Sequence, residues 1–479
     1  MTDGTGTTIY SYQSIGTLGA LQLAQETSPS TGATIIYAYD GLGRLSSRTV
    51  AGSSAETFDY DPVGRLTNHD GDLGAFVLSY LGQTSQIVSR SLMGSNLATT
   101  WSYLPNSGDR RLSGVSTTGL SAGQATGFTF ATNDENQITG STQTSDAPIS
   151  YPPASLSQSA SYNPLNQLTT LSGQTLTYDT DGNLTSDGTL TYTWDAENRL
   201  VAVGYPGQPG KATTFAYDGL GRRVQVNSTP AGGGSGVVTS YVWCGHALCQ
   251  ARNASGAVTK GYYLEGEYAP TGAVYYAPDQ VGTVRRAFST AAAPSYDNDP
   301  YGAPLQATTP ATDFTYARLL NNSNSGLLLA NDRAYGPANG RWLSRDPAGE
   351  TGDRLGNMYV YVDGNPLSLT DVRGLAPDDK LCPEGRNAKE DCIRHCSDTE
   401  LPTGDYGVSF QRCLAECMKA RGFLPSGAPL PDADSKVNWT MVGATAAGVG
   451  AVLCAIAEPC GGAVAVILGV GGVGLAASN

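Results

Sequence analysis

Hydrophobic and polar residues alternate along much of the first 370 residues, as they do in strands with one buried face. Leu176-Thr-Tyr and Leu190-Thr-Tyr-Thr are typical segments, and a period of two places successive side chains on opposite faces of a sheet. Trp101-Ser-Tyr and Phe128-Thr-Phe continue the pattern within residues 82–153. The pattern predicts many short β-strands over this part of the chain.

A short motif recurs between these segments: an aromatic residue, Asp, two variable residues, Gly or Asn, Arg or Asn, and then Leu, which is replaced by Arg in one copy. The aromatic residue is expected to end a strand, Asp to start a turn by bonding its own backbone, and Gly or Asn to adopt a positive φ angle. Stacked hairpins of this kind predict one continuous antiparallel sheet, in which the Tyr and Asp side chains are structural. The copies begin at Tyr39, Tyr60, Tyr178, Trp194 and Tyr217, with a weaker copy at Tyr162.

Composition and charge narrow the possible partners and sites. The net charge of -14 and the pI near 4.6 argue against a nucleic-acid partner, since phosphate binding needs clustered Lys and Arg. The three histidines, His69, His246 and His395, are far apart, so neither a multi-His metal site nor a cofactor is expected. The N-terminus lacks the basic and apolar regions of a signal peptide.

From about residue 30 to 375 the chain resembles RHS/YD-repeat proteins, including their RHS-associated core. The resemblance implies a mainly β fold, in which antiparallel hairpins spiral into a hollow cocoon around a variable C-terminal cargo. Toxin-complex C subunits and the teneurin YD shell are similar in architecture. The residues that carry the resemblance are the repeats and the ordered segments 276–285, 299–304, 326–337, 340–347 and 358–367.

The segment that follows the core motif resembles a self-cleavage junction. Asp346-Pro-Ala-Gly and Asp371-Val-Arg-Gly-Leu are similar to the paired Asp-Pro-x-Gly motifs that carry aspartyl autoproteolysis in this family, and the matching bond is Leu375–Ala376. Two close carboxylates with separated pKa values supply both a base for water and an acid for the leaving amine. Arg345 is expected to keep one carboxylate ionised, and Asp353 is a reserve partner.

One feature of this junction leaves an alternative open. Val372 occupies the position of the second motif's proline, which would otherwise fix the local backbone. The alternative is that Asp346 and Asp371 only cap turns.

The tail after Leu375 shares no repeat with the preceding region. A spacing of four residues places Cys392 with Cys396, and Cys413 with Cys417, on one face of a helix. We predict a disulfide-bridged helical hairpin, with a zinc site that includes His395 as the alternative. Since seven of nine cysteines follow the junction, the tail rather than the shell is expected to meet an oxidising compartment. The disulfide candidates are Cys382, Cys392, Cys396, Cys413, Cys417, Cys454 and Cys460.

The last part of the tail is nearly uncharged and rich in Gly and Ala. Two apolar segments flank the turn Glu458-Pro-Cys-Gly-Gly, and the first, at about twenty residues, is long enough to span a bilayer. The pattern favours a membrane-inserting hairpin over residues 437–477. A hairpin stowed inside the shell, or a self-associating segment, is the alternative.

These observations predict four regions and a toxin-like function. The regions are a β-shell at 1–325, an RHS-associated core with the junction at 326–375, a cysteine-bearing helical hairpin at 376–435, and a hydrophobic hairpin at 436–479. The expected role is delivery of a membrane-active tail in interbacterial competition, with no enzymatic activity beyond possible self-cleavage. The expected partners are a cognate immunity protein, secretion machinery and a target membrane, and the expected location is secreted or in the cell envelope. The alternative is a non-catalytic YD-repeat protein of the cell surface or wall, anchored by its C-terminal hydrophobic segment.

Overall fold

A computed structural model describes residues 1–29, 32–144, 158–306, 310–348, 356–375 and 378–379. In this part of the chain 47% of residues lie in strands and none lies in an α-helix. The chain divides into two units. One comprises Met1–Tyr60 and Leu66–Pro383, and the other joins Asp61–Arg65 to Glu384–Asn479. The structure describes only the turn Asp61–Arg65 of the second unit. An ion pair of 2.7 Å between Asp61 and Arg65 closes this turn.

Consecutive antiparallel strands make up the first sheet, and each strand pairs with its sequence neighbours. A small separate pair, β1 (Thr2–Asp3) and β2 (Gly6–Thr7), precedes it. A 3-10 turn at Asn106–Gly108 interrupts one connection. The twelve strands of the first sheet are β3 (Ile9–Tyr12), β4 (Leu23–Thr27), β5 (Thr34–Tyr39), β6 (Leu45–Val50), β7 (Glu56–Tyr60), β8 (Leu66–Gly71), β9 (Gly74–Tyr80), β10 (Ile87–Leu92), β11 (Ala98–Tyr103), β12 (Leu112–Thr118), β13 (Ala125–Thr132) and β14 (Ile138–Gln143).

A second sheet of twelve strands has the same sequential order. Three short strands precede it: β15 (Ala160–Tyr162), β16 (Leu168–Leu171) and β17 (Gln174–Thr175). The members of the second sheet are β18 (Thr177–Tyr178), β19 (Leu184–Ser186), β20 (Thr191–Trp194), β21 (Leu200–Gly204), β22 (Ala212–Tyr217), β23 (Arg223–Thr229), β24 (Val237–Cys244), β25 (Ala247–Arg252), β26 (Val258–Tyr263), β27 (Gly266–Ala269), β28 (Gly272–Pro278) and β29 (Val284–Phe288).

The prediction of antiparallel hairpins is confirmed, but the prediction of one continuous sheet is wrong for the described residues. The strands separate into two large sheets, and the separation falls where the sequence repeat is degenerate. That stretch includes residues 145–157, which lie outside the described residues.

Each repeat turn closes as its sequence predicts. In the first copy, one oxygen of Asp40 accepts the N–H groups of Leu42 and Arg44 at 2.8 and 2.9 Å, while the other oxygen accepts Nε of Arg44 at 2.6 Å. Gly43 takes a φ of 76°, which glycine adopts without steric cost. In the Trp194 copy, Asn198 takes the same role with a φ of 60°.

A ladder of hydrogen bonds joins successive hairpins. The aromatic residue that ends the first strand of one hairpin donates to the backbone carbonyl of the residue that begins the second strand of the preceding hairpin. The side chains therefore couple neighbouring repeats in addition to the strand pairing. The donor and acceptor pairs are Tyr39 and Leu23, Tyr60 and Leu45, Tyr80 and Leu66, Tyr103 and Ile87, Tyr178 and Leu168, Trp194 and Leu184, and Tyr217 and Leu200.

Apolar side chains from the two large sheets pack against each other. Ile35 and Val50 of the first sheet form a buried cluster with Val242 of the second. Phe76 and Phe288 belong to another such cluster. Burial of this apolar surface stabilises the contact between the sheets.

A compact segment after the second sheet carries the core motifs. Its four strands are β30 (Leu320–Asn322), β31 (Leu327–Leu329), β32 (Ala334–Gly336) and β33 (Arg341–Trp342), followed by a 3-10 turn at Val362–Gly364 and the pair β34 (Leu369–Thr370) and β35 (Asp378–Asp379). The buried rings of Tyr335 and Tyr361 lie 4.7 Å apart, and Trp342 packs on both. This aromatic cluster joins β32 and β33 to the residue before the 3-10 turn.

The predicted helical cysteine-bearing and hydrophobic regions, at 376–435 and 436–479, lie outside the described residues apart from the short strand β35. Within the part of the chain that the structure describes, no helix has the length and apolar character needed to cross a membrane.

Candidate functional site

The two junction aspartates converge on one arginine that the sequence analysis did not single out. Arg333 lies in the turn between β31 and β32, Asp346 follows β33, and Asp371 follows β34. The backbone N–H of Asp332 donates to the carbonyl of Arg373 at 2.9 Å, which holds the arginine turn against the junction loop. Three separate connections of the core segment therefore meet at this point.

Both carboxylates contact the same nitrogen atom. The Nη2 atom of Arg333 lies 2.7 Å from Oδ2 of Asp346 and 3.2 Å from Oδ2 of Asp371. The side chains of Arg333 and Asp371 are 2% exposed, and that of Asp346 is 7% exposed. A buried guanidinium between two carboxylates neutralises their mutual repulsion. The carboxylates of Asp346 and Asp371 therefore meet at one atom of Arg333.

The remaining contacts of Arg333 fix its orientation. Its Nε donates to the carbonyl of Gly374, its Nη1 donates to the carbonyl of Met358 at 3.2 Å, and its guanidinium carbon lies 4.3 Å from the ring centre of Trp342. Burial lowers the pKa of the Arg333 guanidinium, while the charges of Asp371 and Asp346 oppose that shift. Arginine keeps its charge in proteins, so the site contains a fixed cation.

Asp371 binds the backbone that leads to the candidate cleavage bond. Its Oδ1 accepts the N–H groups of Gly374 and Leu375 at 2.7 and 3.0 Å. The peptide between Gly374 and Leu375 is therefore held on both sides, its N–H by Asp371 and its carbonyl by Arg333. Gly374 has a φ of 79°, and a Cβ atom there would lie 3.1 Å from Cβ of Arg333. The turn-capping contacts of Asp371 thus end at Leu375, the residue on the amino side of the candidate cleavage bond.

The other predicted site residues are placed as follows. Oδ1 of Asp346 accepts the N–H of Ala348 at 2.8 Å. Nε of Arg345 lies 3.2 Å from the sulfur of Met358, and the ion pair to Asp346 comes from Arg333 instead. Leu375 is described and half-buried. Asp353 and Ala376 lie outside the described residues.

The sequence analysis did not identify Arg333 as a site residue, although the segment 326–337 that contains it carries part of the resemblance to RHS/YD-repeat proteins. Its separation from Asp371 is 38 residues, and only the strand order of the core segment brings the two together. One signal for Arg333 was present in the sequence: it directly follows Asp332, and these two charged residues lie in an otherwise apolar segment.

The described cysteines form a disulfide that the sequence analysis did not propose. Cys244 and Cys249 close the turn between β24 and β25, with their Cα atoms 5.9 Å apart. The expectation that only the tail requires oxidising conditions is therefore wrong, because the repeat region carries a bridge. The seven disulfide candidates of the tail lie outside the described residues, as does the alternative zinc site. No group of three or more His, Cys, Asp or Glu side chains suited to a metal occurs among the residues described.

The fold and the repeat turns define a protein built of stacked β-hairpins, and comparisons with known proteins identify its relatives. No family model matches the chain. The tRNA3(Ser)-specific nuclease WapA of Bacillus spizizenii is 34% identical over 234 residues, which are 45% of this chain and 10% of that protein. The toxin subunit YenC2 of Yersinia entomophaga is 49% identical over 70 residues, which are 15% of this chain and 7% of the subunit.

A solved structure supports the same class of fold. The crystal structure of TcdB2-TccC3-TEV matches 72% of this chain and 21% of its own chain, with a TM-score of 0.53 and 18% identity. The chain spans about a tenth of the length of the nuclease relative. The comparisons confirm that the protein is related to RHS/YD-repeat proteins and has a toxin-complex-like fold.

Proposed function

We propose that this chain is a toxin-delivery protein that cuts its own backbone after Leu375 and so releases residues 376–479 as an effector. The repeat region, 1–325, would provide the β-shell, and the core segment, 326–375, would provide the junction. The relatives include proteins named as toxins. The observation that carries the proposal is the meeting of Asp346 and Asp371 on Arg333, directly beside Leu375.

The chemistry is hydrolysis of the Leu375–Ala376 peptide bond. Asp346 takes a proton from a water molecule as the water oxygen bonds to the carbonyl carbon of Leu375. The C–N bond then breaks, the Ala376 nitrogen receives the proton from Asp346, and Leu375 becomes the new carboxyl terminus. Proton transfer by a positioned carboxyl group of this kind is general acid–base catalysis.

Asp371 and Arg333 have positioning roles in this scheme. Asp371 already accepts the N–H of Leu375, so it fixes the residue on the amino side of the bond. Arg333 draws both carboxylates to one point and binds the Gly374 carbonyl. Fixed orientation of the reacting groups supplies a large share of the rate in such reactions. Arg345 and Asp353 remain candidate contributors from the same loop.

The tail after the cut is proposed to act on a membrane. Support comes from its sequence: residues 437–477 are nearly uncharged, with apolar segments on either side of a turn at Glu458-Pro-Cys-Gly-Gly. The cysteine-bearing region, 376–435, would brace this hairpin through disulfides. Secretion of the protein, and an immunity partner in the producing cell, belong to the same proposal.

Two assays of the released tail separate a membrane target from a nucleic-acid target. The tail is mixed with dye-loaded anionic lipid vesicles and, separately, with transfer RNA, because one relative is named a tRNA nuclease. Dye release without RNA cleavage is expected. RNA cleavage without dye release would contradict the membrane proposal while leaving the junction chemistry intact.

Cleavage itself is tested by incubating the purified full chain and following fragments on a denaturing gel. The wild-type chain is expected to yield a fragment that ends near residue 375, and Asp346→Asn is expected to remain intact. Asp195→Asn is the matched control, because Asp195 also accepts the N–H of the residue two positions on and pairs with an arginine, but it lies in a repeat turn. If Asp346→Asn and Asp195→Asn behave alike, the proposed role of Asp346 is wrong.

A further inference from the structure

A charged cluster between the second sheet and β30 contains a lysine that touches two carboxylates. Nζ of Lys260 on β26 lies 2.7 Å from Oε2 of Glu267 on β27 and 2.6 Å from Oδ1 of Asp313. Glu267 is 2% exposed, whereas Lys260 and Asp313 are 27% and 36% exposed. Asp313 follows Lys260 by 53 residues, and its backbone carbonyl accepts the N–H of Asn321 in β30 at 2.7 Å. The cluster therefore connects the second sheet to the segment that carries the core motifs.

The second oxygen of each carboxylate is also bound. The hydroxyl of Tyr262 donates to Oδ2 of Asp313 at 2.6 Å. Oε1 of Glu267 accepts the hydroxyl of Tyr276 at 2.8 Å and the backbone N–H of Asp313. These contacts hold both carboxyl groups in place around the lysine nitrogen. A simple ion pair at this exposure contributes little stability and uses only one of the two acids.

Protons can be exchanged within the cluster. Burial and the charge of Asp313 raise the pKa of Glu267, although Lys260 opposes the shift. Burial acts to lower the pKa of Lys260, but the charges of Glu267 and Asp313 raise it overall. The cation is thus the major form of Lys260, and transfer of one proton to a neighbouring carboxylate gives the neutral amine, which is the nucleophilic form.

We propose that Lys260 and Asp313 form an intramolecular isopeptide bond, with Glu267 as the catalytic base and acid. Proton transfer from Nζ first gives a neutral amine and a protonated carboxyl group on Asp313. Nζ then bonds to Cγ of Asp313, Glu267 takes one amine proton and passes it to Oδ1, and the Cγ–Oδ1 bond breaks. The products are one amide and one water molecule, so no further reactant is needed. Proton transfer by a positioned carboxylate in this way is general acid–base catalysis.

The contacts around Asp313 support each step. Because Nζ of Lys260 touches Oδ1, the carbon to which it bonds lies only one bond further away, and such proximity replaces a bimolecular encounter. The hydroxyl of Tyr262 stabilises the negative charge that develops on Oδ2. The partial exposure of Asp313 lets the water leave. The bond forms once in each molecule, so a small population of neutral amine is sufficient.

The isopeptide bond has a structural consequence that is independent of self-cleavage. It closes the chain between β26 and Asp313 and so constrains the unfolded state, as a disulfide does. Both residues precede Leu375, so the bond lies in the same fragment whether or not the chain cuts itself.

Mass spectrometry of the purified full chain tests the proposal. The wild-type protein is expected to be lighter than its sequence by the mass of one water molecule. Trypsin does not cut after an acylated lysine, so residues 253–285 should stay joined to residues 287–318 after digestion. Fragmentation of the joined peptide should locate the bond at Lys260 and Asp313. A wild-type chain of full mass that trypsin cuts after Lys260 would overturn the proposal.

Three variants separate the roles of the residues. Lys260→Arg lacks the nucleophile and Glu267→Gln lacks the proton acceptor, so each is expected to keep the full mass of its sequence. Lys211→Arg is the matched control, at a lysine that lies 4.2 Å from the ring centre of Tyr205, and should lose water as the wild type does. The same loss of water in Lys260→Arg would overturn the proposal, because the water would then have left another site. An unchanged bond in Glu267→Gln would overturn the catalytic role of Glu267.

Discussion

The Nδ1 atom of His69 on β8 lies 3.3 Å from Oε2 of Glu265, in the turn after β26, so one imidazole links the first sheet to the second. The other ring nitrogen lies 3.1 Å from Oε2 of Glu56, which also pairs with Arg48 at 2.7 Å. Burial alone would lower the pKa of His69, but Glu265 and Glu56 together raise it to about 10. Burial would raise the pKa of Glu265, yet His69 and Arg90 lower it to about 2.

Replacement of His69 by Gln is expected to reduce the free energy of unfolding by about 3 kcal/mol near pH 6, because it removes the shared cation from two buried carboxylates and leaves Glu265 with only the more distant Arg90. The raised pKa of His69 gives stability that is complete below its ordinary value of 6.5 and disappears as the pH rises through 10. The lowered pKa of Glu265 gives stability that is present above 4.5 and disappears as the pH falls through 2. The difference between wild type and His69→Gln should therefore be largest between pH 4.5 and 6.5.

Denaturant unfolding at a series of pH values measures this difference. His246→Gln, at an exposed histidine, is the matched control and should change stability by less than about 0.5 kcal/mol. A His69→Gln curve that runs parallel to the wild-type curve from pH 5 to 10 would show that the imidazole does not link the sheets as a cation.

The ladder predicts a measurable loss when one hydroxyl is removed. Tyr217→Phe deletes the 2.9 Å hydrogen bond to the carbonyl of Leu200 and keeps the ring on which Arg199 stacks. We expect a loss of about 1 kcal/mol in the free energy of unfolding. Tyr268→Phe, outside the ladder, should have no comparable effect, and equal stability of the two variants would refute a stabilising ladder.

The disulfide in the second sheet should stabilise the repeat region. Joint replacement of Cys244 and Cys249 by Ser is expected to lower the free energy of unfolding by about 2 kcal/mol, because a short closed loop is released. Thermal melts with and without reductant measure the effect. The reductant should destabilise the wild type and leave the double variant unchanged in this region; a wild type insensitive to reductant would argue against the bridge.

Much of the repeat architecture could be predicted from the sequence, because the turn is a local structure. Asp40, Gly43 and Arg44 lie within five residues, and their hydrogen bonds close within the turn. The ladder could not be predicted in the same way. Its acceptors are backbone carbonyls of another hairpin, and a carbonyl leaves no signature in residue identity.

The candidate site also combines residues that the sequence predicts with a non-local contact that it does not predict. Asp346 and Asp371 were predicted from their motifs, but Arg333 became visible only when the order of β31 to β34 brought three connections together. The Cys244–Cys249 bridge had a local signal, two cysteines around a Gly-His turn between strand-like segments. That signal was outweighed by the larger number of cysteines in the tail.

Gly374 connects the backbone conformation to the proposed cleavage. Gly374→Ala places a Cβ against Arg333, in a backbone conformation with a φ of 79°. Because this change misplaces the junction backbone, we expect self-cleavage to slow on the order of tenfold or more. Gly364→Ala is the matched control, since Gly364 has a φ of 76° and nothing within 4 Å of an added Cβ. Timed gels of both variants measure the rates of self-cleavage. Equal rates would show that the backbone at Gly374 does not position the junction.

Mass spectrometry of the products formed in oxygen-18 water tests self-cleavage at the Leu375–Ala376 bond. Hydrolysis by Asp346 should give a new amino terminus at Ala376, one oxygen-18 atom in the carboxyl group of Leu375, and neither product from Asp346→Asn. An intact chain in the wild type, a cut at another bond, or the same products from Asp346→Asn would contradict it.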